Sequence, residues 1–144
     1  MIVVIVIVGI LAGVAAPRFL DMNDFQGDHA HRQALADLRF AQRRAMNSGC
    51  PVQVDFTATR YTLNQRAACR TGTFTLDLVD PVTNLTPYAV DLPEGVTASS
   101  SVDPIVFDAM GRLTTTAGVP TDATITIGGL ALQGVGETGL IRVP

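Results

Sequence analysis

Charge is missing from the beginning of this chain. No Asp, Glu, Lys or Arg precedes Arg18, and residues 1–16 include no strongly polar side chain. A secretory signal peptide begins with basic residues ahead of its apolar run. The missing basic start therefore argues against a cleaved signal, although the small residues Ala12, Gly13, Ala15 and Ala16 resemble a cleavage site. We favour a retained helix and keep the cleaved signal as the alternative.

The chain is also poor in the residues that mark common functional classes. It has no Trp, two cysteines and a formal net charge of −3, which argues against a general nucleic-acid binder. It contains no Gly-x-Ser-x-Gly, no His-Glu-x-x-His and no Walker loop, and its acids form no calcium-binding loop. We therefore expect no catalytic residue, no metal site and no cofactor.

The apolar segment is almost long enough to be a membrane anchor. As a helix, residues 1–16 would span about 24 Å, whereas a bilayer core is about 30 Å thick and needs some 20 apolar residues. Pro17 is compatible with such a helix because membrane helices tolerate proline. The total of 144 residues suits one domain plus this anchor.

The same segment carries a family resemblance. Residues 3–12 and 15–19 resemble the N-terminal helix of type IV pilins and type II secretion pseudopilins. That family's pattern begins with a Gly, a peptidase cut and Phe-Thr-Leu-Ile-Glu, none of which is present here. We expect that the start was assigned late, at an internal Met, and that the cut lies upstream. The resemblance implies a membrane and fibre-core helix that includes Val4, Val8, Gly9, Ala12, Gly13, Ala16 and Pro17.

A second helix is predicted over residues 24–48. Its apolar residues recur at helical spacing on one face, where a core would pack. Asp24 or Asp28 would begin the helix, and Gly49 followed by Pro51 would end it. The apolar face comprises Ala34, Leu35, Leu38, Ala41, Ala45 and Met46, while Arg32, Asp37 and Arg39 fall mostly elsewhere.

His29 and His31 were considered as a metal pair. They are two residues apart, so they point to different sides of a helix. A helical metal pair needs a spacing of three or four. We therefore predict two histidines that face solvent.

The rest of the chain alternates apolar and polar residues, as half-buried strands do. Hairpins are predicted at residues 57–59 and at Gly128-Gly129. The predicted fold class is α+β, a long N-terminal helix packed on an antiparallel β-sheet, as in pilins. The predicted boundaries are an anchor over residues 1–20 and a globular domain over residues 21–144, with its sheet over residues 51–144.

Short motifs in the domain narrow the resemblance to a subgroup. Residues 38–42 with Arg44-Ala45, and residues 106–112, resemble the GspH/FimT group of minor pseudopilins. Residues 48–54 and 136–139 resemble MshC-type minor pilins of MSHA pilus systems. The resemblance implies a structural minor subunit of a type IV pilus or a type II secretion fibre. Its implied partners are other pilin subunits, the inner membrane and the assembly platform, with the domain outside the cytoplasm and no small-molecule substrate.

The two cysteines are candidates for a disulfide. Cys50 follows the helix, and Cys69 follows the second predicted strand, which a hairpin returns toward the helix end. Outside the inner membrane a disulfide is permitted. We predict a Cys50–Cys69 disulfide, with two buried free thiols as the alternative.

Two other functions remain as alternatives. FimT-like members bind DNA through a C-terminal Gly-Arg-x-Arg tail, but here the stretch reads Gly139-Leu140-Ile141-Arg142, which leaves only Arg142 as a DNA contact. Arg60, Arg66 and Arg70 are better explained as a solvated loop. The acidic balance and the lost arginine disfavour DNA binding. The second alternative, a periplasmic enzyme or binding domain tethered by one helix, has no cluster of reactive residues to support it.

Overall fold

The computed structural model describes residues 3, 4, 6, 7 and 22–144. Over these residues the domain consists of one long helix followed by short strands. The helix, α1, is Met22–Ser48. The strands are β1 Val52–Thr57, β2 Arg60–Gln65, β3 Leu76–Asp77, β4 Tyr88–Asp91, β5 Ala98–Ser100, β6 Ile105–Phe107, β7 Leu113–Thr114, β8 Ala123–Ile127, β9 Leu130–Gly134 and β10 Ile141–Arg142. The predicted α+β class, with a helix packed on antiparallel sheet, is confirmed.

Helix α1 is amphipathic at the predicted spacing. Ala30, Ala34, Leu38, Ala41 and Ala45 are all buried, because steps of three and four residues stay on one side of a helix. Four of these five residues are alanine, so the helix backbone can approach the sheets closely.

The ends of the helix differ in how well they were predicted. The helix begins at Met22, and Asp28 lies inside it rather than at its start. There Asp28 pairs with Arg32, one turn later, at 3.0 Å. Gly49 has φ +67°, a left-handed conformation that ends the helix where predicted.

Several residues of the helix, among them His31 and Met46, lie on the side opposite to the one predicted. His31 is only 5% exposed, and its Nε2 is 3.3 Å from the carbonyl oxygen of Ala131. The prediction of two solvent-facing histidines was thus wrong for His31, which lies three residues before Ala34 on the buried side. Met46, predicted as core, is 43% exposed because it is at the margin of the packed face.

The first sheet follows the alternation read in the sequence. Its strand order is β3-β2-β1-β6-β7, and β4 also pairs with β2. Val54 lies opposite Leu63 in the antiparallel β1–β2 hairpin, and both side chains are buried. The hairpin turn is Ala58-Thr59, as predicted.

The strands of the C-terminal half form a separate sheet. Its order is β10-β9-β8-β5, and Gly128-Gly129 makes the predicted turn between β8 and β9. A single sheet was expected from the sequence. The split arises because β5 pairs with β8, whereas β6, only four residues beyond β5, pairs with β1. Alternation along a strand says which residues are buried but not which strand is its neighbour.

Helix α1 lies across both sheets and forms one core with them. The helix contacts β1 and β6 of the first sheet and β8, β9 and β10 of the second. Backbone hydrogen bonds join the sheets directly, since Leu113 N–H donates to Gly136 O at 2.9 Å and Ala98 N–H donates to Ala58 O at 3.0 Å. The two sheets and the inner face of the helix therefore bury a single apolar cluster.

The predicted anchor lies largely outside the described residues. Val4 is helical and 61% exposed. The other predicted fibre-core residues are not described, namely Val8, Gly9, Ala12, Gly13, Ala16 and Pro17. Among the residues that are described, no helix has both the length and the apolar character needed to cross a membrane. The division into an anchor over 1–20 and a domain over 21–144 stays a prediction.

Candidate assembly surface

The outward face of α1 is the part of the helix that the domain leaves uncovered. Arg32, Ala36, Arg39 and Arg43 follow one another at steps of four, three and four residues, and all are exposed. The opposite face is covered by the two sheets. A helix that packs on one side only presents its other side to solvent or to a partner.

Beneath the inner face lies a buried carboxylate that the sequence analysis placed elsewhere. Asp37 accepts hydrogen bonds from the Tyr61 hydroxyl at 2.5 Å and from the Tyr88 hydroxyl at 2.8 Å. Asp37 is i+3 from Ala34 and i−4 from Ala41, so its spacing places it on the apolar face. Its two partners come from β2 and β4, so the cluster ties the helix to two strands of the first sheet.

Burial governs the protonation of this cluster. It raises the pKa of Asp37 above its ordinary value of 3.8, and the hydrogen bonds from Tyr61 and Tyr88 partly oppose that rise. Burial also raises the pKa of both tyrosines, and the neighbouring Asp37 charge adds to the effect. The hydroxyls thus remain donors at neutral pH. The arrangement is suited to holding two strands against the helix, and Asp37 and Tyr88 also line an open pocket of about 480 Å³ beside α1.

A second polar tie joins α1 to two turns. The Gln42 amide nitrogen donates to Gly111 O at 2.9 Å and to Thr138 O at 3.1 Å. The two turns meet so closely that a Cβ on Gly139 would overlap the carbonyl oxygen of Gly111. Gly139 also has φ +63°, which favours glycine. The close packing of these two turns therefore requires glycine at position 139.

The disulfide predicted from the sequence is present. Cys50, just after α1, is bonded to Cys69 in the loop that follows β2. The same loop is held by Arg66 N–H, which donates to Pro51 O at 3.0 Å, and by the Arg66 guanidinium, 4.7 Å from the ring centre of Phe74. The bridge fixes the end of the helix to the edge of the first sheet.

Three of the arginines considered for DNA binding, Arg60, Arg66 and Arg142, have separate interactions. Arg60 pairs with Asp91, and this hydrogen bond lowers the pKa of the Asp91 carboxyl. Arg66 stacks on Phe74, and Arg142 donates to the Gln133 side chain at 3.2 Å. The structure thus gives these three arginines separate partners within the domain rather than one shared cationic surface.

Metal ligands do not cluster in the part of the chain that the structure describes. His29 and His31 lie on different sides of α1, with His31 bonded to the β9 backbone. The acids Asp80, Asp91 and Asp108 belong to separate turns and ion pairs.

Comparison with known proteins decides the family. The sequence profile described as type II transport protein GspH matches residues 30–141, most of the chain. The chain belongs to the GspH family. Among curated protein sequences, none matches the chain.

Solved structures of two kinds of fibre subunit share the fold of this GspH-family chain. The minor pseudopilin EpsH of the Vibrio cholerae type 2 secretion system is 18% identical, with a TM-score of 0.57 over 83% of this chain and 96% of that one. The type IV minor pilin FimU of Pseudomonas aeruginosa is 17% identical, with a TM-score of 0.58 over 84% of this chain and 90% of that one. The predicted pilin-like fold and the predicted family are both confirmed.

Family membership indicates what the outward face of α1 can contact. Members of the GspH family are structural subunits that assemble with other pilin-like subunits into a periplasmic fibre, and they are not enzymes. This chain is accordingly a structural subunit of the minor pilin and pseudopilin type. Its relevant surfaces are those that can meet neighbouring subunits, and the outward face of α1 is one of them.

Proposed function

We propose that this GspH-family chain is a minor subunit of a type II secretion fibre or an MSHA-type pilus, and that it assembles through its N-terminal segment. Residues 1–20 hold the subunit in the inner membrane before assembly and then pack among the equivalent helices of other subunits. The domain over residues 21–144 lies outside the cytoplasm and faces outward from the fibre.

One observation carries the proposal. Helix α1 is Met22–Ser48, a short distance after the apolar residues 1–16, and its inner face packs on the two sheets. Among the described residues, the apolar core of the domain extends from Ala30 to Ile141 and includes none of those described in the apolar segment. Val3, Val4, Val6 and Ile7 are each at least half exposed, so they are available to lipid or to other helices. Small residues at Gly9, Ala12 and Gly13 would let such helices approach closely.

The choice between the two fibres rests on different features. The profile match and the EpsH likeness support a secretion fibre. The FimU likeness and the MshC-like segments over residues 48–54 and 136–139 support a pilus. Deleting the gene and scoring protein secretion and pilus formation separately would distinguish them, because only one of the two should fail and recover on complementation.

Assembly through the apolar segment can be tested in cells. A photo-crosslinking residue placed at Gly9 or Ala12 of the full chain should yield adducts with other pilin-like subunits. The same residue placed at Thr116, in an exposed loop, serves as the control and should yield none. Adducts with lipid alone, or recovery of a soluble chain that has lost its leading residues, would contradict the proposal.

A further inference from the structure

A groove runs beside α1, between its outward face and the last strand. It has a volume of about 440 Å³. Its lining residues are Ala36, Arg39, Gln42, Arg43, Leu140 and Ile141. Two guanidinium groups and one exposed leucine share the groove, and no acidic side chain lines it.

The two arginines of the groove retain most of their hydrogen-bonding capacity. Arg39 Nη2 donates to Ile141 O at 3.2 Å, and Arg43 Nε donates to Arg39 O at 3.3 Å. A guanidinium offers five N–H donors, so each group has used one of them on a backbone oxygen.

Neither arginine is neutralised within the part of the chain that is described. Ion pairs there involve Arg32, Arg60 and Arg112, not Arg39 or Arg43. These unpaired arginines contrast with the chain as a whole, which has more acidic than basic residues, 13 against 10. The groove thus has two positive charges without a carboxylate partner, although the protein as a whole is acidic.

An apolar lip completes the groove. Leu140 is 52% exposed, while its neighbour Ile141 is buried in the core. Leu140 stands on the turn that Gln42 ties to the helix, so its position is fixed relative to Arg39 and Arg43. The groove therefore combines fixed cations with an apolar contact, which suits a carboxylate carried beside an apolar side chain.

We infer that this groove docks an acidic, partly apolar segment of a neighbouring subunit in the fibre, an inference that rests on the proposed function. A two-fold contact between copies of this chain would set arginine against arginine, which is unfavourable. Nucleic acid fits less well, because phosphate binding needs a row of cations along a strand. Arg142, which follows the groove residue Ile141 in the sequence, is held by Gln133.

The inference can be tested on the full chain in detergent with a synthetic probe. The probe is an acetylated and amidated peptide that alternates Leu and Glu, and its control replaces each Glu with Gln. NMR signals of the Arg39 and Arg43 side-chain Nε–H groups should shift with the Glu peptide, less so at higher salt. The double variant R39Q/R43Q should bind about tenfold more weakly, since hydrogen bonds to charged groups are lost.

Matched controls make the result specific. R44Q removes an exposed arginine that lines a different groove, beside Phe40 and Leu76, and should leave binding unchanged. Both variants should melt at the wild-type temperature. No shift at millimolar peptide, equal binding of the Gln peptide, or tighter binding of a short DNA duplex would each overturn the inference.

The same variants separate this inference from the proposed function. In cells, wild type should enter the fibre, and the charge-reversed R39E/R43E should enter poorly while R44E enters normally. If wild type itself never enters, the proposed function fails. If wild type and R39E/R43E enter equally, only the docking groove is contradicted.

Discussion

The two faces of helix α1 differ in burial and in the partners of their polar side chains. On the inner face, alanines and Leu38 are buried, and the polar residues that point inward, His31, Asp37 and Gln42, make hydrogen bonds to strands and turns. On the outer face, the guanidinium groups of Arg39 and Arg43 donate hydrogen bonds to backbone oxygens. The inner face thus determines whether the domain folds, whereas the outer face can vary with the partner. Substitutions on the two faces should separate stability from assembly.

The largest effect is expected from Leu38→Ala. Leu38 is 2% exposed at the centre of the core, so truncation leaves a cavity and should lower the free energy of unfolding by about 2–5 kcal/mol. Arg43→Ala, on the outer face of the same helix, should change it by less than about 0.5 kcal/mol. Urea unfolding of the full chain in detergent measures both. Equal losses would show that the two faces do not differ as described.

Next in size is the loss of the disulfide. Replacing both Cys50 and Cys69 with Ala opens a loop between residues 19 apart, which should cost about 3 kcal/mol through the entropy of the unfolded chain. Reductant should lower the stability of wild type to nearly that of the double variant and leave the variant itself unchanged. A wild type insensitive to reductant would contradict this account.

A smaller loss is expected when the buried carboxylate is removed. Asp37→Leu leaves the hydroxyls of Tyr61 and Tyr88 buried without an acceptor, but it also removes the cost of burying a charge. The net loss should be about 2 kcal/mol. Asp37→Asn keeps an acceptor and should lose less than half of that, again measured by urea unfolding. If Asp37→Asn lost as much unfolding free energy as Asp37→Leu, the stabilising effect of Asp37 would not come from accepting the tyrosine hydrogen bonds.

The smallest predicted effect is a pH dependence centred on Asp37. Because burial raises the pKa of Asp37 in the fold above 3.8, the folded state favours the protonated form. Wild type should therefore gain stability relative to Asp37→Asn as the pH falls from 7 toward 4, and lose that gain as the pH rises through the raised pKa. Unfolding midpoints of the two proteins over this range measure it. If the stability advantage of wild type over Asp37→Asn shrank as the pH fell, the pH dependence would have the opposite sign, and burial of Asp37 could not explain it.

Sequence patterns predicted those features that depend on near neighbours in the chain. Period-two alternation gave the β1–β2 hairpin, Gly128-Gly129 gave the β8–β9 turn, and Gly49 gave the end of α1. The same reasoning failed for His31 and Asp37, although their spacing places them on the buried face. His31 was predicted to face solvent, and Asp37 was predicted to lie away from the apolar face. Each is buried because a strand brings it a hydrogen-bond partner, Ala131 O for His31 and two tyrosine hydroxyls for Asp37.

By itself, the sequence determined that the chain has an uncharged apolar beginning, an amphipathic helix and a strand-rich remainder, because side-chain chemistry and its period express these directly. Only the tertiary structure decided that the strands divide into two sheets, that Gln42 joins two distant turns, and that Arg39, Arg43 and Leu140 share one groove. Those features join residues roughly 70 to 100 positions apart. Contacts at such separations depend on which strands pair and where the helix lies on them, which no local pattern specifies.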